Sequence, residues 1–403
     1  MRRNFLPILG LLSLFVLGSC SAERDPKIAS LKHAIGVADS QLLDAAAELD
    51  TTNCFPRSLM PRFRAVDAKD WTSGFFPGSL WQCYRFTGDE KLLAEAEKYT
   101  GRLEGIQYYK GTHDLGFMVF CSFGQQMQTL HDRHSEAVIV EAAKSLVSRC
   151  DPRIGLIRSW DFGEWNYPVI IDNMMNLEML FWASKHTGDP VYRDVAVRHA
   201  DITMKNHFRD DASSFHVVSY NDDGTVESRG TFQGYSDSSA WARGQAWGLY
   251  GYTMCYRETG DAKYLKHAER IADFIMHHPN TPADRIPYWD YNAPDIPDAP
   301  RDASAAAIMA SAVVSSALFE LSTLVPEAEG KRYFDYAETL LMNLSSDAYL
   351  ARKGANGGFI LMHSVGHLPA DSEIDTPLNY ADYYYLEAIG RYLSLRGLDP
   401  RRI

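Results

Sequence analysis

The sequence predicts an all-α protein with the architecture of an (α/α)6 barrel, a ring of six helical hairpins, and three observations support this prediction. A Thr-Gly-Asp motif recurs at residues 87–89, 187–189 and 259–261. Each copy separates an apolar segment from an amphipathic one whose apolar residues recur at three- and four-residue steps, the spacing of a helix. Few segments show the alternation that is typical of strands. In each motif the Gly can end one helix and the Asp can cap the next.

Six apolar segments are predicted to form the inner helices of the ring. They cover residues 75–86, 117–130, 172–185, 241–258, 303–324 and 379–395. Six amphipathic segments are predicted to form the outer helices: one over residues 26–49, three after the Thr-Gly-Asp motifs, and two that begin near His134 and Pro326. An open helical solenoid is the alternative architecture. The closed ring is favoured because the repeat count is close to six and the last unit is aromatic rather than polar.

The predicted ring also indicates where a functional site would lie. All inner helices run in the same direction, so the segments that precede them gather at one end of the barrel. These segments are long, polar and aromatic, and they cover residues 57–73, 107–116, 151–171, 208–240, 282–302 and 356–379. One of them is predicted to contain a short β-hairpin, formed by residues 215–219 and 226–229. Because binding sites are usually built on ordered loops of a rigid scaffold, we predict the site at this end.

The first twenty residues have the pattern of a bacterial lipoprotein signal peptide. Arg2 and Arg3 precede an apolar stretch over residues 5–17 that is short for a membrane span, and the segment ends at Leu17-Gly18-Ser19-Cys20. We therefore predict residues 1–20 as a signal peptide, lipid attachment at Cys20, and residues 21–403 as a single catalytic domain. The expected location is the bacterial cell envelope, lipid-anchored in the periplasm or at the outer membrane. An ordinary secretory peptide with a chance cysteine is the alternative.

Composition limits the classes of partner. The formal net charge of −12 argues against a nucleic-acid or anionic-membrane surface, so membrane contact is expected only through the N-terminal lipid anchor. An anionic substrate is compatible with this charge if basic residues are concentrated in the site. Of the six cysteines, the five after Cys20 have no short spacing, so neither a disulfide framework nor a zinc site is predicted. No metal, cofactor or obligate protein partner is predicted.

Two aspartates are the main candidates for catalysis. Asp172 follows the apolar run 168–171 at the start of a predicted inner helix, and Asp114 follows His113 at the start of another. Each could cap its helix. Each could instead be a partly buried acid/base, because apolar neighbours raise the pKa of a carboxyl whereas a helix N-terminus lowers it. Both interpretations stay open for each residue, but their shared place at inner-helix starts favours a common site.

Aromatic and basic residues in the same loops are candidates for substrate contact. Trp71 and Trp241 could stack on sugar rings or pack in the core. Arg243 lies in the first turn of a predicted helix, where a cation opposes the helix dipole. An anionic ligand or an acidic neighbour would explain that placement, and a snorkelling or salt-bridged arginine is the alternative. His216 taken alone is more often a structural histidine than a catalyst.

Together these segments resemble the unsaturated glucuronyl hydrolases of glycoside hydrolase family 88. The resemblance covers nearly the whole chain after the signal peptide and keeps the order of the motifs. The matching motifs are Trp-Thr-Ser-Gly-Phe from Trp71, His-Asp-x-Gly-Phe from His113, Asp-Asn-Met-Met-Asn from Asp172 and Trp-x-Arg-Gly-Gln-Ala-Trp from Trp241. The closing segment 382–387 is also similar to the last inner helix of the family.

The resemblance implies an (α/α)6 barrel and an unusual glycosidase reaction. The substrates would be oligosaccharides from polysaccharide lyases acting on chondroitin, hyaluronan or heparin, with a C4=C5 double bond in the non-reducing-end uronic acid. The enzyme would hydrate this double bond instead of attacking the anomeric carbon. Asp172 would protonate C4 and then activate water toward C5, and Asp114 would be the second essential carboxylate.

The resemblance also assigns substrate contacts. Trp71 would form part of the site wall, and Arg243 would support the anionic group or hydroxyls of the sugar. The residues expected around the unsaturated sugar are His113, His216, Gln233, Trp241 and Arg243. The loop over residues 354–368 departs from the family pattern, which leaves the accepted linkage and sulfation pattern open.

Three other functions are alternatives. An unsaturated rhamnogalacturonyl hydrolase would use the same barrel and reaction on pectin fragments, but the His113 and Trp241 motifs favour the glucuronyl type. A sugar epimerase on a similar barrel would need histidine bases on the inner helices, which are poor in histidine. A noncatalytic glycan-binding lipoprotein would keep the aromatic residues without needing both Asp172 and Asp114.

Overall fold

The computed structural model describes residues 25–59, 62–311 and 318–403, and the predicted signal peptide and Cys20 lie outside them. The described residues form thirteen α-helices. In chain order they are α1 (Pro26–Glu48), α2 (Phe75–Thr87), α3 (Glu90–Gly101), α4 (Phe123–Leu130), α5 (Arg133–Val147), α6 (Leu177–Thr187), α7 (Pro190–Asn206), α8 (Ala242–Thr259), α9 (Ala262–His277), α10 (Ala303–Ala310), α11 (Leu318–Leu324), α12 (Glu327–Leu344) and α13 (Asn379–Leu395). In this part of the chain, no helix has the length and apolar character needed to cross a membrane.

The helices form two concentric layers, and the predicted closed ring is confirmed. The inner layer contains α2, α4, α6, α8, α10 with α11, and α13. Along the chain an inner helix packs against the outer helix that follows it, and α13 contacts both α2 and α10, which closes the ring. Apolar side chains from both layers form one continuous core. Helices α8, α10 and α13 of the inner layer are buried nearly all round, whereas the outer helices keep one exposed face.

The Thr-Gly-Asp motifs form tight corners between inner and outer helices. At each corner the Gly has a left-handed conformation, with φ of 71°, 75° and 70° at Gly88, Gly188 and Gly260. The Asp that follows accepts a hydrogen bond from the backbone two residues on, and so caps the outer helix. The Thr hydroxyl bonds back into the inner helix and accepts from the backbone N–H of the Asp. These short corners confirm the predicted turns.

Two inner helices begin irregularly, and one predicted helix is divided. A π-helical turn over Gly116–Phe120 precedes α4, and a 3-10 helix over Ile171–Asn176 precedes α6. The Asn176 side-chain oxygen accepts from the backbone N–H of Phe117 at 3.2 Å, so the two irregular starts are joined. The single helix predicted over residues 303–324 is wrong in part, because Ser311 is extended and α10 ends before it.

Short β-structure lies between the helices. Strands β1 (Phe55–Ser58) and β2 (Arg64–Val66) pair, as do β3 (Cys150–Asp151) and β4 (Leu156–Ile157). The predicted hairpin is confirmed as β6 (Val217–Tyr220) and β7 (Val226–Gly230), and β5 (Pro168–Ile170) adds a third strand to it. All four pairings are antiparallel, and the three-stranded sheet places the residues after β5 beside those before β6.

Candidate functional site

A cleft of about 430 Å³ opens where the loops preceding the inner helices meet. Five of the six predicted loop segments supply its lining residues, and the segment 282–302 supplies none. Among the predicted site residues, the cleft is lined by Trp71, His113, Asp114, Asp172 and Gln233. The end of the barrel predicted for the site is therefore the end that carries a cleft.

Asp172 is the most unusual carboxyl in the cleft. It lies inside the 3-10 helix before α6, whose N-cap residue is Ile170, so the capping interpretation is wrong. The side chain is buried, and its Oδ2 atom has no hydrogen-bond partner in the described part of the chain. Burial raises the pKa of Asp172 to about 6, with a smaller contribution from Asp114, while His113 and Arg243 oppose the shift. A carboxyl with this pKa can both give and take a proton near neutral pH.

His216 lies directly beside Asp172. The β5–β6 pairing brings it there, because the backbone N–H of Ile171 donates to the carbonyl of His216 at 3.1 Å. Its Nδ1 accepts from the backbone N–H groups of Phe232 and Gln233, each at 3.1 Å. Burial lowers the pKa of His216 well below its ordinary value, so the ring is neutral and carries its proton on Nε2. That Nε2 lies 3.6 Å from Asp172 Oδ2, just beyond a direct hydrogen bond.

Asp114 and His113 form a second polar pair on the cleft wall. Asp114 Oδ1 lies 3.1 Å from His113 Nε2, and its Oδ2 accepts from the hydroxyl of Thr112. His113 is fully buried, and its Nδ1 lies 3.2 Å from the hydroxyl of Ser159. The backbone carbonyl of Asp114 accepts from Met118 at the irregular start of the second inner helix. The Asp114 side chain makes no cap bond among the described residues, so it remains available to the cleft.

Trp71 and Gln233 also line the cleft. Trp71 is partly buried and packs edge-on or tilted against Phe75, Phe117 and Tyr380, with ring centroids 5.0 to 5.8 Å apart. This packing fixes the indole while one part of it faces the cleft. Gln233 Nε2 donates to the carbonyl of Gly366 at 3.1 Å, which connects the loop before α8 with the loop before α13.

Trp241 and Arg243 are placed differently from the prediction of direct sugar contact. Both are buried and neither lines the cleft. Trp241 packs behind His216, with ring centroids 4.6 Å apart. Arg243 bonds Asp302 at 3.2 Å and the carbonyls of Val365 and Gly366, the latter at 2.7 Å. Helix α8 turns these two side chains toward its neighbours in the ring, so they support the wall from behind it.

A charged cluster that no sequence pattern predicted joins two segments of the cleft wall, the one before α2 and the one before α13. Arg57 donates from Nε and Nη2 to Glu373 at 2.8 and 3.0 Å, and from Nη1 to both oxygens of Asp70. Arg64 adds a contact of 3.1 Å to Glu373. Burial raises the pKa of Glu373, but bonding to Arg57 more than offsets this and the pKa is lowered. Arg57 and Glu373 lie over 300 residues apart in sequence, and no local pattern predicts such a pair.

A wall of aromatic side chains also lines the cleft, and the sequence did not predict it. Trp160 lies within 5.2 Å of the ring centroids of Phe162 and Phe232, and Phe232 lies 4.7 Å from His367. Phe162 is 54% exposed and Phe232 38% exposed, so apolar ring faces are open to a ligand. Such faces suit the apolar side of a pyranose ring. The density of aromatic residues in 151–171 was the only available sequence signal. Among the described residues, no group of His, Cys, Asp and Glu side chains is arranged to hold a metal.

Comparisons with known proteins agree with this geometry. The sequence model of Glycosyl Hydrolase Family 88 matches residues 48–257. An unsaturated glucuronyl hydrolase from Formosa agariphila is 49% identical over 350 residues, 85% of this chain and 86% of that protein. An unsaturated chondroitin disaccharide hydrolase from Streptococcus agalactiae is 32% identical, over 82% of this chain and 83% of that protein.

A solved structure is also similar to this chain in three dimensions. The crystal structure of an unsaturated glucuronyl hydrolase specific for heparin superposes with a TM-score of 0.88 and 51% sequence identity, covering 93% of this chain and 99% of that one. The protein is therefore an enzyme and not a noncatalytic glycan-binding protein, and the chain belongs to glycoside hydrolase family 88.

Proposed function

We propose that the enzyme removes the Δ4,5-unsaturated uronic acid from the non-reducing end of lyase-generated glycosaminoglycan oligosaccharides by hydrating the C4=C5 double bond. The observation that carries this proposal is the buried carboxyl of Asp172, with its unpartnered oxygen and a pKa near 6. Hydration of an enol ether needs one group that delivers a proton to carbon and then accepts one from water. A single carboxyl in this protonation range can perform both steps.

In the first step, protonated Asp172 donates its proton to C4. The double-bond electrons form the new C4–H bond, and positive charge develops at C5 and the ring oxygen. The Asp172 carboxylate left behind stabilises this charge in a site from which solvent is largely excluded. The neutral His216 ring beside Asp172 adds no positive charge that would oppose the developing cation.

In the second step, a water molecule attacks C5 and the Asp172 carboxylate takes its proton. The product is a hemiketal at C5, which opens by breaking the bond between C5 and the ring oxygen. The ketone that forms at C5 leaves a hemiacetal at C1, which expels the remaining saccharide. One water is consumed and Asp172 regains its proton. No covalent sugar–enzyme bond is needed, so the separation between two carboxyls does not determine the outcome.

The neighbouring residues have proposed roles that follow from their contacts. Asp114 is held by Thr112 and His113 and faces the cleft, which suits a carboxylate that binds sugar hydroxyls. His216 directs its Nε2 proton toward Asp172 and is positioned to orient the attacking water. The exposed aromatic wall and Trp71 would hold the sugar rings. Arg243 acts indirectly, by fixing the backbone at Val365 and Gly366.

The substrate class is proposed from chemistry and from the relatives together. One relative is named for unsaturated chondroitin disaccharide, and a solved relative is described as specific for heparin. We extend this substrate type to the present chain, and rank pectin-derived unsaturated rhamnogalacturonides second because no reported relative is named for them.

A substrate panel tests the proposal. Purified enzyme is incubated with unsaturated disaccharides from chondroitin, hyaluronan and heparin lyases and with an unsaturated rhamnogalacturonan disaccharide. Loss of the ultraviolet absorbance of the conjugated double bond reports hydration, and mass spectrometry checks for the released monosaccharide. We expect consumption of at least one glycosaminoglycan disaccharide. Turnover of the pectin fragment alone would favour the alternative, and absence of any turnover would refute the assignment.

A further inference from the structure

The cleft is acidic, although the substrate proposed for it is an anion. Four carboxyl side chains line it, those of Asp70, Asp114, Asp172 and Glu373. An unsaturated uronic acid carries a carboxylate, and a sulfated neighbouring sugar adds further negative charge. Resting on the proposed function, this means that a cation must face the substrate from the cleft wall, because unscreened like charges in a partly buried site disfavour binding.

The buried guanidinium groups are already engaged. Arg57 donates from Nε, Nη1 and Nη2 to Glu373 and Asp70, so its charge is balanced by two carboxylates. Arg243 lies behind the wall, and both of its terminal nitrogens donate to Asp302 or to backbone carbonyls. Moving either group toward a substrate would break bonds that hold the walls together.

The neighbouring histidine is not a cation at neutral pH. His367 lines the cleft, and its Nε2 lies 2.8 Å from the carbonyl of Phe232, so Nε2 is the donor. Burial lowers the pKa of His367 below its ordinary value. The ring is therefore neutral at pH 7, where the unsaturated uronate is ionised.

Lys69 is left as the candidate cation on the cleft wall, and its environment suits the binding of an anion. Its side chain is exposed and lines the cleft, and its ammonium lies 5.6 Å from the ring centroid of Tyr109. Within residues 25–59, 62–311 and 318–403, no hydrogen bond or ion pair engages this ammonium. Its backbone N–H donates to the Asp67 side chain at 2.8 Å, a local turn that fixes where the side chain leaves the chain. All three ammonium donors are thus available.

We infer that Lys69 is a specificity-determining residue that binds an anionic group of the substrate, either the carboxylate of the unsaturated uronic acid or a sulfate on the adjoining sugar. The carboxylate and the sulfate are both oxyanions, but the two contacts predict a different dependence of KM on the substrate. A carboxylate contact serves every substrate equally, because each carries the unsaturated uronate. A sulfate contact serves only sulfated substrates.

The test compares wild type with Lys69→Gln on a matched pair, the unsulfated and the 6-sulfated unsaturated chondroitin disaccharides. We expect Lys69→Gln to raise KM about tenfold, the loss typical of one charge-assisted hydrogen bond, with little change in kcat. An equal rise for both substrates assigns the contact to the carboxylate, and a rise confined to the sulfated one assigns it to sulfate. Lys69→Arg should restore most of the affinity.

Lys110→Gln is the control, because Lys110 is an exposed cation near the cleft that does not line it. Equal KM changes in the two variants, or no change in Lys69→Gln, would overturn the inference. Binding is also measured by calorimetry with both disaccharides in an Asp172→Asn background. This readout does not need turnover, so failure of the proposed reaction and failure of the Lys69 contact are distinguishable: undiminished binding after Lys69→Gln refutes the latter alone.

Discussion

The buried position of Asp172 destabilises its ionised form, and the same position keeps the carboxyl able to act as an acid. Its carboxyl is 6% exposed and one oxygen has no hydrogen-bond partner in the described chain. Ionising such a group costs free energy, which is why burial raises its pKa to about 6. The same environment keeps a useful fraction of the group protonated at neutral pH. With an unshifted pKa of 3.8, far less than a hundredth would be protonated at pH 7, against about a tenth here.

The rate should therefore follow the acid form of Asp172. We expect kcat/KM to be level below a pH of about 6 and to fall up to tenfold per pH unit above it, because C4 can be protonated only by the acid form. Asp172→Asn should reduce kcat by about a thousandfold. The matched control is Asp295→Asn, on the loop segment that does not line the cleft. A pH profile that keeps its shape in an active Asp172→Asn variant would contradict this assignment.

Although Asp172→Asn should reduce activity, it should increase the free energy of unfolding. The folded-state pKa lies above the ordinary value of 3.8, so the native state holds the proton more tightly, and the stability from protonated Asp172 is lost as pH rises through about 6. Asparagine carries no charge to bury. We expect Asp172→Asn to be more stable than wild type by up to about 3 kcal/mol at pH 7.5, a difference that vanishes near pH 4. Urea unfolding at both pH values measures this, and a pH-independent difference would argue against a shifted pKa.

At the scale of elements, the site depends on how closely the inner helices approach. Helix α2 faces the irregular start of the second inner helix, and Gly78 lies at the contact. A Cβ atom added at Gly78 would overlap the carbonyl oxygen of Cys121 and the ring of Tyr383. A backbone carbonyl cannot move without displacing its helix, so this glycine is required by packing rather than by its backbone conformation.

A pair of glycine substitutions tests this packing. Gly78→Ala should destabilise the fold by about 3 kcal/mol and reduce activity, since the helix that it displaces follows Asp114. Gly36 is the matched control, because it lies within α1, is exposed, and an added Cβ would meet no atom within 4 Å. Gly36→Ala should stabilise the fold by about 1 kcal/mol through helix propensity. Similar effects of the two substitutions in denaturant unfolding would contradict the close-packing account.

The loop before α13 is the element that completes the cleft. Buried Arg243 binds its backbone at Val365 and Gly366, and Arg57 binds its Glu373 side chain. Asp382, on the first turn of α13, accepts from the backbone N–H groups of Ile360 and Leu361 at 3.0 and 2.8 Å. These bonds come from three different inner-helix regions. The position of the loop is therefore a property of the assembled ring.

At the scale of the whole molecule, the parts that could be predicted are those that local patterns determine. Helical periodicity and the repeated corner motif predicted the two layers, because each hairpin has its own amphipathic pattern and caps. The common direction of the inner helices then brought Asp114 and Asp172 to one cleft. Direct sugar contact by Trp241 and Arg243 does not fit the structure, since the face that a buried helix turns to the site depends on its neighbours. The bond between Arg57 and Glu373 could not be predicted because the two residues lie over 300 positions apart and no local pattern pairs them.

The predicted attachment of the enzyme to the cell envelope also concerns the whole molecule. The described part of the chain begins at Asp25, which accepts from the Lys27 backbone at 2.9 Å to cap α1 and pairs with Arg396 after α13 at 3.1 Å. These contacts tie the start of α1 to the residue that follows α13. A lipid on Cys20 would attach the barrel to the membrane through the segment that precedes Asp25.

Cys20→Ala tests the tether in the bacterial cell. We expect the wild-type protein in the membrane fraction and labelled by radioactive palmitate, because the predicted lipoprotein processing would acylate this cysteine. The variant should lose the label and the membrane association, while the purified barrel keeps wild-type kcat/KM on the disaccharide panel. Cys54→Ala, which removes a free cysteine within the described domain, is the control and should keep the label. A Cys20→Ala protein that remains labelled and membrane-bound would show that the anchor lies elsewhere.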